Sequence, residues 1–435
     1  MGKFIRTNFG LLVIGILTII PLLRWLFLLP LDLRFYDVNS ISTSLGQLTG
    51  LAGMTLFSIN LILTSRLKIF DKLYLGINNV YKRHSQIGAL SFCLLLFHPL
   101  LLAVKYLQVS VHQAALFLLP GQEPAINFGI FALVLMMLLL LITFYVKLRY
   151  HYWKISHKFL VAAFILVMLH TLFITSDISR DIFLRYYILI LVFIGLVAGF
   201  YRAGLSKYWN NNLSYRVIQV NRLNDQVWEI IMEPRGQKIV YEPGQFVFLR
   251  FLSPQLSSES HPFSIASSPD EANLRVIIKS LGDYTARLDN LDVGDLVSVE
   301  GPFGRFNYKR AGGKKQLWLA GGIGITPFLG MAQSLRPDDG YQVDLYYCVS
   351  TMDEAIYWEK LSQLATGNNN FRIFSWCSAQ AGRISTQKIA EQSAGLAGKE
   401  VFLCGPDSFM SSLRQQLIAQ GLSRQNIHGE QFKFL

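Results

Sequence analysis

Charge is scarce in this chain. Only 16% of its 435 residues are Asp, Glu, Lys or Arg, while 52% are hydrophobic, and mean hydropathy is +0.35. That balance excludes an intrinsically disordered chain, and 33 glycines are too few for a collagen repeat. Cysteine is scarcer still: Cys93, Cys348, Cys377 and Cys404 lie far apart with no CxxC pair, which argues against a disulfide framework or a cysteine zinc site. Acidic residues are almost missing from the first half. Residues 1–210 hold 18 Lys and Arg against 6 Asp and Glu, whereas residues 211–435 hold 22 of each. The net charge of +12 therefore belongs to the half with the long apolar runs, which points to a membrane domain and away from a nucleic-acid-binding face.

Crossing a hydrocarbon core of about 30 Å takes about 20 helical residues. Six runs reach or approach that length: Gly10–Leu29, Ser44–Thr64, Ser85–Tyr106, Ile126–Val146, His157–Thr175 and Ile182–Phe200. The first lacks the small-residue cleavage site of a secretory signal and reads as a true span. With the N-terminus in the cytoplasm, the inner segments carry 13 Lys and Arg against Asp71 alone, and the outer segments sum to zero. The positive-inside rule then predicts an integral protein of a cell membrane with six spans, both termini and the soluble half being cytoplasmic.

Five of the eight histidines fall in or beside these spans: His84, His98, His151, His157 and His170. A lone intramembrane histidine can simply bond a neighbouring helix, but the spacing here says more. His84 and His98 are 14 residues apart on the third span, which places them about 40° apart in azimuth and about 21 Å apart along the axis. His157 and His170 are 13 apart on the fifth, about 20 Å. Both spans run outward, so His84 shares a depth with His157 and His98 with His170. Paired imidazoles at two depths suit two b-type haems held by histidine on both faces. Thirteen residues of ideal helix turn the second ring about 140° away, so a π-bulge or a frayed start at His157 is expected. His151 is the rival inner ligand, and Pro99 is expected to loosen the helix beside His98. Arg83, with Lys82, Arg149 and Lys154, either serves topology alone or pairs with haem propionates.

The second half changes character. Strands are expected at Tyr215–Val220, Val227–Met232, Gln245–Phe251, Leu274–Ser280 and Leu296–Gly301, which make a small antiparallel barrel. From Gln316 the pattern alternates: strands Gln316–Ala320, Gln342–Val349, Phe371–Trp376 and Glu400–Cys404 are interleaved with helices such as Pro327–Leu335 and Ser408–Gln420. The expected organisation is a membrane all-α six-helix bundle over 1–209, an antiparallel β-barrel over 210–312 and an α/β nucleotide-binding domain over 313–435. Gly322-x-Gly324, between a strand and a helix, lets backbone amides approach a pyrophosphate, although Pro327 stands where a full dinucleotide fingerprint has a third glycine. His261-Pro262-Phe263-Ser264 reads as a strand-end turn or as a cradle for a flavin phosphate and ring.

Several of these segments resemble one family. His261-Pro262-Phe263-Ser264 resembles the flavin motif of the ferredoxin-reductase-like domains of NADPH oxidases and ferric reductases, and Lys279-Ser-Leu-Gly282-Asp-Tyr-Thr285 resembles its second FAD motif. Glu300-Gly-Pro-Phe-Gly304 is similar to the turn that closes the barrel. Gly321-Gly322-Ile-Gly324-Ile-Thr326-Pro327-Phe328 resembles the nicotinamide-nucleotide loop, and Cys404-Gly405-Pro406 the family's CGP motif. The terminal His428-Gly-Glu430-Gln-Phe432-Lys-Phe434 is similar to the segment whose aromatic covers the flavin ring. With the histidine spacings, the resemblance covers nearly the whole chain and is to a compact prokaryotic member.

The resemblance implies FAD, two haems b and NADPH or NADH, with Cys404 beside the nicotinamide and Phe432 or Phe434 on the flavin. Electrons would pass from nucleotide to FAD, to the inner haem, to the outer haem and on to an acceptor outside. Dioxygen is the first expectation, giving superoxide and then peroxide. A ferric or cupric chelate reductase, or a cytochrome b module serving a partner protein, would use the same path. Many eukaryotic oxidases of the family place an arginine on the second span near the outer haem; here Gln47-Leu-Thr49-Gly50 stands there, with Gln47 as the candidate acceptor-side residue. Ser350-Thr351-Met-Asp353-Glu354 has no adjacent arginine for a 2′-phosphate, with Arg372 or Arg383 left to reach it through the fold, and use of both nucleotides is expected. No EF-hand loop or SH3-ligand stretch is present, so activity without calcium or cytosolic activators is expected. The partners are then a small electron acceptor and membrane lipid, with no nucleic acid.

Overall fold

A chain that buries its backbone in lipid must satisfy every amide internally, which long helices do. The computed structural model describes residues 2–74, 76–146, 148, 150–202 and 213–430, and the chain divides into two compact units, Met1–Trp209 and Asn210–Leu435. The first unit holds six helical spans long and apolar enough to cross a membrane. They are α1 (Gly2–Leu26), α2 (Val38–Leu63), α3 (Ile77–Ala103), α4 (Pro124–Tyr145), the pair α5 (Tyr150–Lys158) and α6 (Leu160–Phe173), and α7 (Ile182–Phe200).

Local chemistry sets several of these starts. Asp37 accepts from Ser40 N at 2.7 Å while Ser40 Oγ accepts from Asp37 N at 3.0 Å, a reciprocal cap that opens α2. Pro124 occupies the first turn of α4, where its missing N–H costs nothing. Asp181 caps α7 through Leu184 N at 2.8 Å. The first five spans start earlier than hydropathy alone predicts, while the sixth opens at Ile182 as expected; α3 opens at Ile77, so His84 lies inside the helix, and α3 continues through Pro99 to Ala103.

Helix α2 is the most buried span. Its Gly46, Gly50 and Gly53 let α3 approach, and Ser91 Oγ on α3 donates to Gly53 O at 2.8 Å. Trp25, Leu51, Phe57, Met136, Phe164 and Ile188 close the core around it. The fifth span is broken neither by a π-bulge nor by fraying. Phe159 separates α5 from α6, and Phe159 N to Ser156 O (3.1 Å) and Ala162 N to Phe159 O (2.8 Å) are i→i+3 bonds. Such a turn is overwound relative to an α-helix and brings His170 round toward the side of His157.

The second unit opens with β1 (Leu213–Asn224), β2 (Val227–Pro234), β3 (Phe246–Leu252), β4 (His261–Ser264), β5 (Leu274–Lys279) and β6 (Leu296–Phe303), in the order β4-β3-β6-β1-β2-β5 with antiparallel pairings. The bridge Ile265↔Val276 joins the two ends and closes the barrel. The His261–Ser264 segment is thus a strand, not a strand-end turn. A parallel sheet follows, made of β7 (Lys315–Gly321), β8 (Gln342–Val349), β9 (Phe371–Cys377), β10 (Glu400–Cys404) and β11 (Ile427–Glu430), in the order β11-β10-β7-β8-β9. Strand β11 and the helix Trp358–Gly367 are additions to the sequence expectation. Barrel and parallel sheet share one apolar core, in which Val227, Ala266 and Ile277 pack with Trp318 and Phe328.

Gly244 sits at this seam with φ +88, and an added Cβ would strike the Phe306 carbonyl and lie 2.9 Å from Met331 Sδ. Gly244→Ala is expected to destabilise the unit by about 1–3 kcal/mol, which thermal unfolding followed by tryptophan fluorescence will register as a lowered Tm.

Candidate functional site

Two constellations stand out, one in each unit. In the membrane unit the ring centroids of His84 and His157 are 6.1 Å apart, and those of His98 and His170 are 6.4 Å apart. An iron about 2 Å from an Nε2 on each side separates two imidazole centroids by about 6 Å. The other nitrogens are engaged by backbone: His98 Nδ1 with Gly46 O at 2.7 Å, His170 Nδ1 with Ala125 O at 2.7 Å, and His84 Nδ1 with Asn60 O at 3.2 Å. A carbonyl can only accept, so it holds the proton on Nδ1 and leaves the Nε2 lone pair for a metal. His157 is held instead by Trp153, stacked on it at 5.5 Å and 13°.

Two glycines make the room. A Cβ on Gly50 would lie 2.5 Å from His98 Nδ1, and one on Gly129 would lie 2.9 Å from His170 Nδ1. Among the described residues no group of three or more His, Cys, Asp or Glu could hold a bare ion. Each pair offers two axial ligands and suits a metal whose equatorial positions a macrocycle fills. Sequence reasoning named the four histidines but not Gly50 and Gly129 as their seats, because which glycine faces which ring depends on helix packing. Gln47, one residue beyond Gly46, accepts from Trp25 Nε1 at 3.2 Å. Beside it lies Arg34, 3% exposed, which pairs with Asp177 at 3.2 Å and stacks 3.5 Å over Trp25. Arg83 Nη1 donates to Gln86 Oε1 at 2.8 Å on its own helix. Arg149 lies outside the described residues, as does any account of the His151 side chain.

In the second unit, the two flavin-like motifs meet through a ring contact. His261 on β4 stacks on Tyr284 at 4.0 Å, and its Nε2 lies 3.1 Å from Glu259. Pro262 and Phe263 are paired across to Phe248 and Val247, and Ser264 is buried. Thr285 Oγ1 accepts from Leu281 N at 2.9 Å and Gly282 N at 3.1 Å, closing the loop that begins after Lys279. At the carboxyl ends of the parallel strands, Gly321 ends β7 and Gly322 follows it, while Gly405-Pro406 follows β10. Strand order reverses between these two strands, where open α/β sheets bind ligands. The loops meet backbone to backbone: a Cβ on Gly405 would lie 3.0 Å from Gly321 Cα, and one on Gly324 would strike the Cys404 carbonyl. Thr326 and Pro327 open the helix Thr326–Gln333.

Cys404 ends β10, fully buried and in register with Ala320 and Glu430. Burial, then the nearby Glu430 carboxyl, push its thiol well above its usual range, so it stays neutral. Burial also pushes the Glu430 carboxyl up to about 8. From sequence, Glu430 is visible only as part of the terminal motif; its closeness to Cys404 comes from β11 pairing beside β10. Phe432 and Phe434 lie outside the described residues.

Comparison with known proteins agrees with this layout. Residues 49–168 match the family described as ferric reductase like transmembrane component, residues 212–306 the FAD-binding domain, and residues 318–415 the oxidoreductase NAD-binding domain. The ferredoxin reductase component of 3-ketosteroid-9-alpha-monooxygenase from Mycobacterium tuberculosis is 32% identical over 205 residues, 46% of this chain and 57% of that protein. The glycine betaine monooxygenase reductase subunit of Pseudomonas aeruginosa is 26% identical over 239 residues, 50% of this chain and 64% of that protein. The matches therefore span less than two thirds of these relatives' length. In fold, the chain aligns over 90% of its length with flavohemoglobin from Malassezia yamatoensis, covering 98% of that chain at TM-score 0.50 and 17% identity. A ferric reductase-like transmembrane domain joined to FAD- and NAD-binding domains makes this an integral membrane oxidoreductase of the electron-transfer type.

The raised Glu430 carboxyl sets a sign. It is protonated in the fold and ionised in the unfolded chain between its ordinary value of 4.5 and about 8, so the native state binds the extra proton and stability falls as pH rises across that window. Unfolding temperatures measured from pH 5 to about 8 should decline in the wild type and decline less in Glu430→Gln; parallel slopes would count against a buried neutral acid.

Proposed function

The chain has the transmembrane, flavin and nucleotide domains of the NADPH oxidase and ferric reductase-like architecture, and from that premise we propose that it is a transmembrane NAD(P)H oxidase. The flavin and nucleotide domains would hold FAD and NAD(P)H and the membrane histidines two b haems; when bound, these groups would supply hydride acceptance and one-electron transfer to dioxygen on the outer side, with superoxide and then hydrogen peroxide as products. The observation that carries this reading is the pair of facing imidazole couples, 6.1 and 6.4 Å apart, on the same two spans.

The residues divide the work by chemistry. His84 and His157 would hold the inner haem, and His98 and His170 the outer. The carbonyls of Gly46, Asn60 and Ala125 fix three of these rings and raise their basicity as ligands. Gly322, Gly324 and the start of the helix at Thr326 present amides to a pyrophosphate. His261, Ser264 and the Thr285-closed loop would hold the flavin. Cys404, a neutral thiol, would lie beside a bound nicotinamide, with the protonated Glu430 carboxyl next to it. With the cation-rich segments in the cytoplasm, as the positive-inside rule favours, His98 and His170 would lie toward the outer side. There Trp25, only 1% exposed, and Gln47 pack closely.

Two measurements test this. His98→Leu should remove about half of the haem absorbance and leave the His84/His157 couple spectroscopically bis-histidine; retention of both haems would overturn the ligand assignment. Full-length protein given NADPH or NADH in air should reduce cytochrome c in a superoxide-dismutase-sensitive way. A negligible rate with oxygen beside rapid reduction of ferric citrate would replace the oxidase reading with a chelate reductase.

A further inference from the structure

The glycine loop after β7 opens on a cavity within the second unit. Gly322 and Ile323 line a space of about 270 Å³, together with the β1–β2 hairpin, Lys279 at the end of β5, and the segment after β8. Lys279 is the one cation among the described residues that line it, and the carboxylates are Asp225, Asp353 and Glu354. Asp225 is already met by Arg222 Nη2 at 2.9 Å. Asp353 and Glu354 stand in the turn Met352–Glu354 that follows β8, and Glu354 Oε2 accepts from Ser350 N at 3.4 Å, which draws that carboxylate back against the strand end.

We infer that this chain uses NADH in preference to NADPH, with Asp353 and Glu354 as the residues that turn the 2′-phosphate away. The pyrophosphate belongs at the Gly322 loop, where backbone amides and Lys279 meet it, and the adenosine ribose then crosses the carboxyl end of the neighbouring strand β8. A ribose diol donates hydrogen bonds to a carboxylate there. A phosphate ester at the same place brings a charge of about −1.5 to −2 against two carboxylates. The hydroxyls of Ser350 and Thr351 can donate to a phosphate but carry no charge to offset that repulsion.

The arginines that could answer it are placed otherwise. Arg372 lies at the amino end of β9 and pairs with Asp344 at 2.6 Å, so it belongs to the opposite end of the sheet. Arg383 follows β9 at the correct end but is exposed, beyond the short helix Ser378–Ala381 whose Ala379 N bonds Ser350 O at 3.2 Å. The inference rests on the nucleotide half of the proposed function and not on the terminal acceptor.

Full-length, FAD-loaded protein is titrated anaerobically with NAD⁺ and NADP⁺ by protein fluorescence, and flavin bleaching by NADH and NADPH is followed in a single turnover. NAD⁺ should bind at least about tenfold more tightly, and NADH should bleach the flavin at correspondingly lower concentration. The double variant Asp353→Asn/Glu354→Gln should tighten NADP⁺, weaken NAD⁺ and close most of that gap. Ser350→Arg, which adds a cation without removing a carboxylate, should tighten NADP⁺ alone and serves where the double variant loses its flavin. Equal or tighter binding of NADP⁺ by the wild type, or an unchanged ratio in a variant that retains its flavin, overturns the inference. If Arg383→Gln abolishes such NADP⁺ binding, that arginine governs the choice instead. Bleaching by NADH without reduction of any outer acceptor would count against the oxidase reading and leave the nucleotide preference standing.

Discussion

A polar ring placed inside a membrane span must find its partner within the protein, because lipid offers none. In this chain that constraint organises the whole first unit. His98 and His84 on α3 each take a backbone carbonyl of α2, and His170 takes one at the start of α4. To reach those carbonyls the helices must pack closely, which Gly50 and Gly129 permit by leaving no Cβ in the way. The same bond that satisfies Nδ1 keeps the proton there and leaves Nε2 with its lone pair, so meeting the desolvation cost also fixes the tautomer that the proposed function requires.

The second unit answers a different problem, how to bring a flavin motif and a nucleotide loop into one body. Its solution is a shared apolar core between an antiparallel barrel and a parallel sheet, reinforced by polar links such as Gln333 Nε2 to Ala266 O at 3.1 Å and Tyr308 OH to Ser334 O at 3.0 Å. Tyr357, in a left-handed conformation at the start of its helix, bonds Glu229 of the barrel, which Arg275 also meets at 3.3 Å. Burial at the end of β10 and β11 then does chemical work of its own: it keeps the Cys404 thiol and the Glu430 carboxyl neutral side by side.

Much of this was legible from residues alone, for reasons that differ by element. The six spans and four histidines could be read because hydropathy and axial rise are local properties of a helix. The glycine loops could be read because a backbone that must approach an anion tolerates few other residues. The break at Phe159 could not be placed, since an i→i+3 turn costs little and leaves no composition signal. Strand β4 was hidden because Pro262 weakens a strand pattern, and β11 because a short strand exists only by pairing with β10.

The sequence by itself determined that this is a six-span membrane chain fused to a flavin and nucleotide reductase, with histidines at two depths, because periodicity, charge asymmetry and turn chemistry act within a few residues. Only the tertiary structure decided which carbonyls hold His84, His98 and His170, which glycines make room for His98 and His170, that Glu430 lies beside Cys404, and that Arg372 is committed to Asp344 at the far end of the sheet. Those relations join residues far apart in the chain, and they come into being when helices pack and strands take their register.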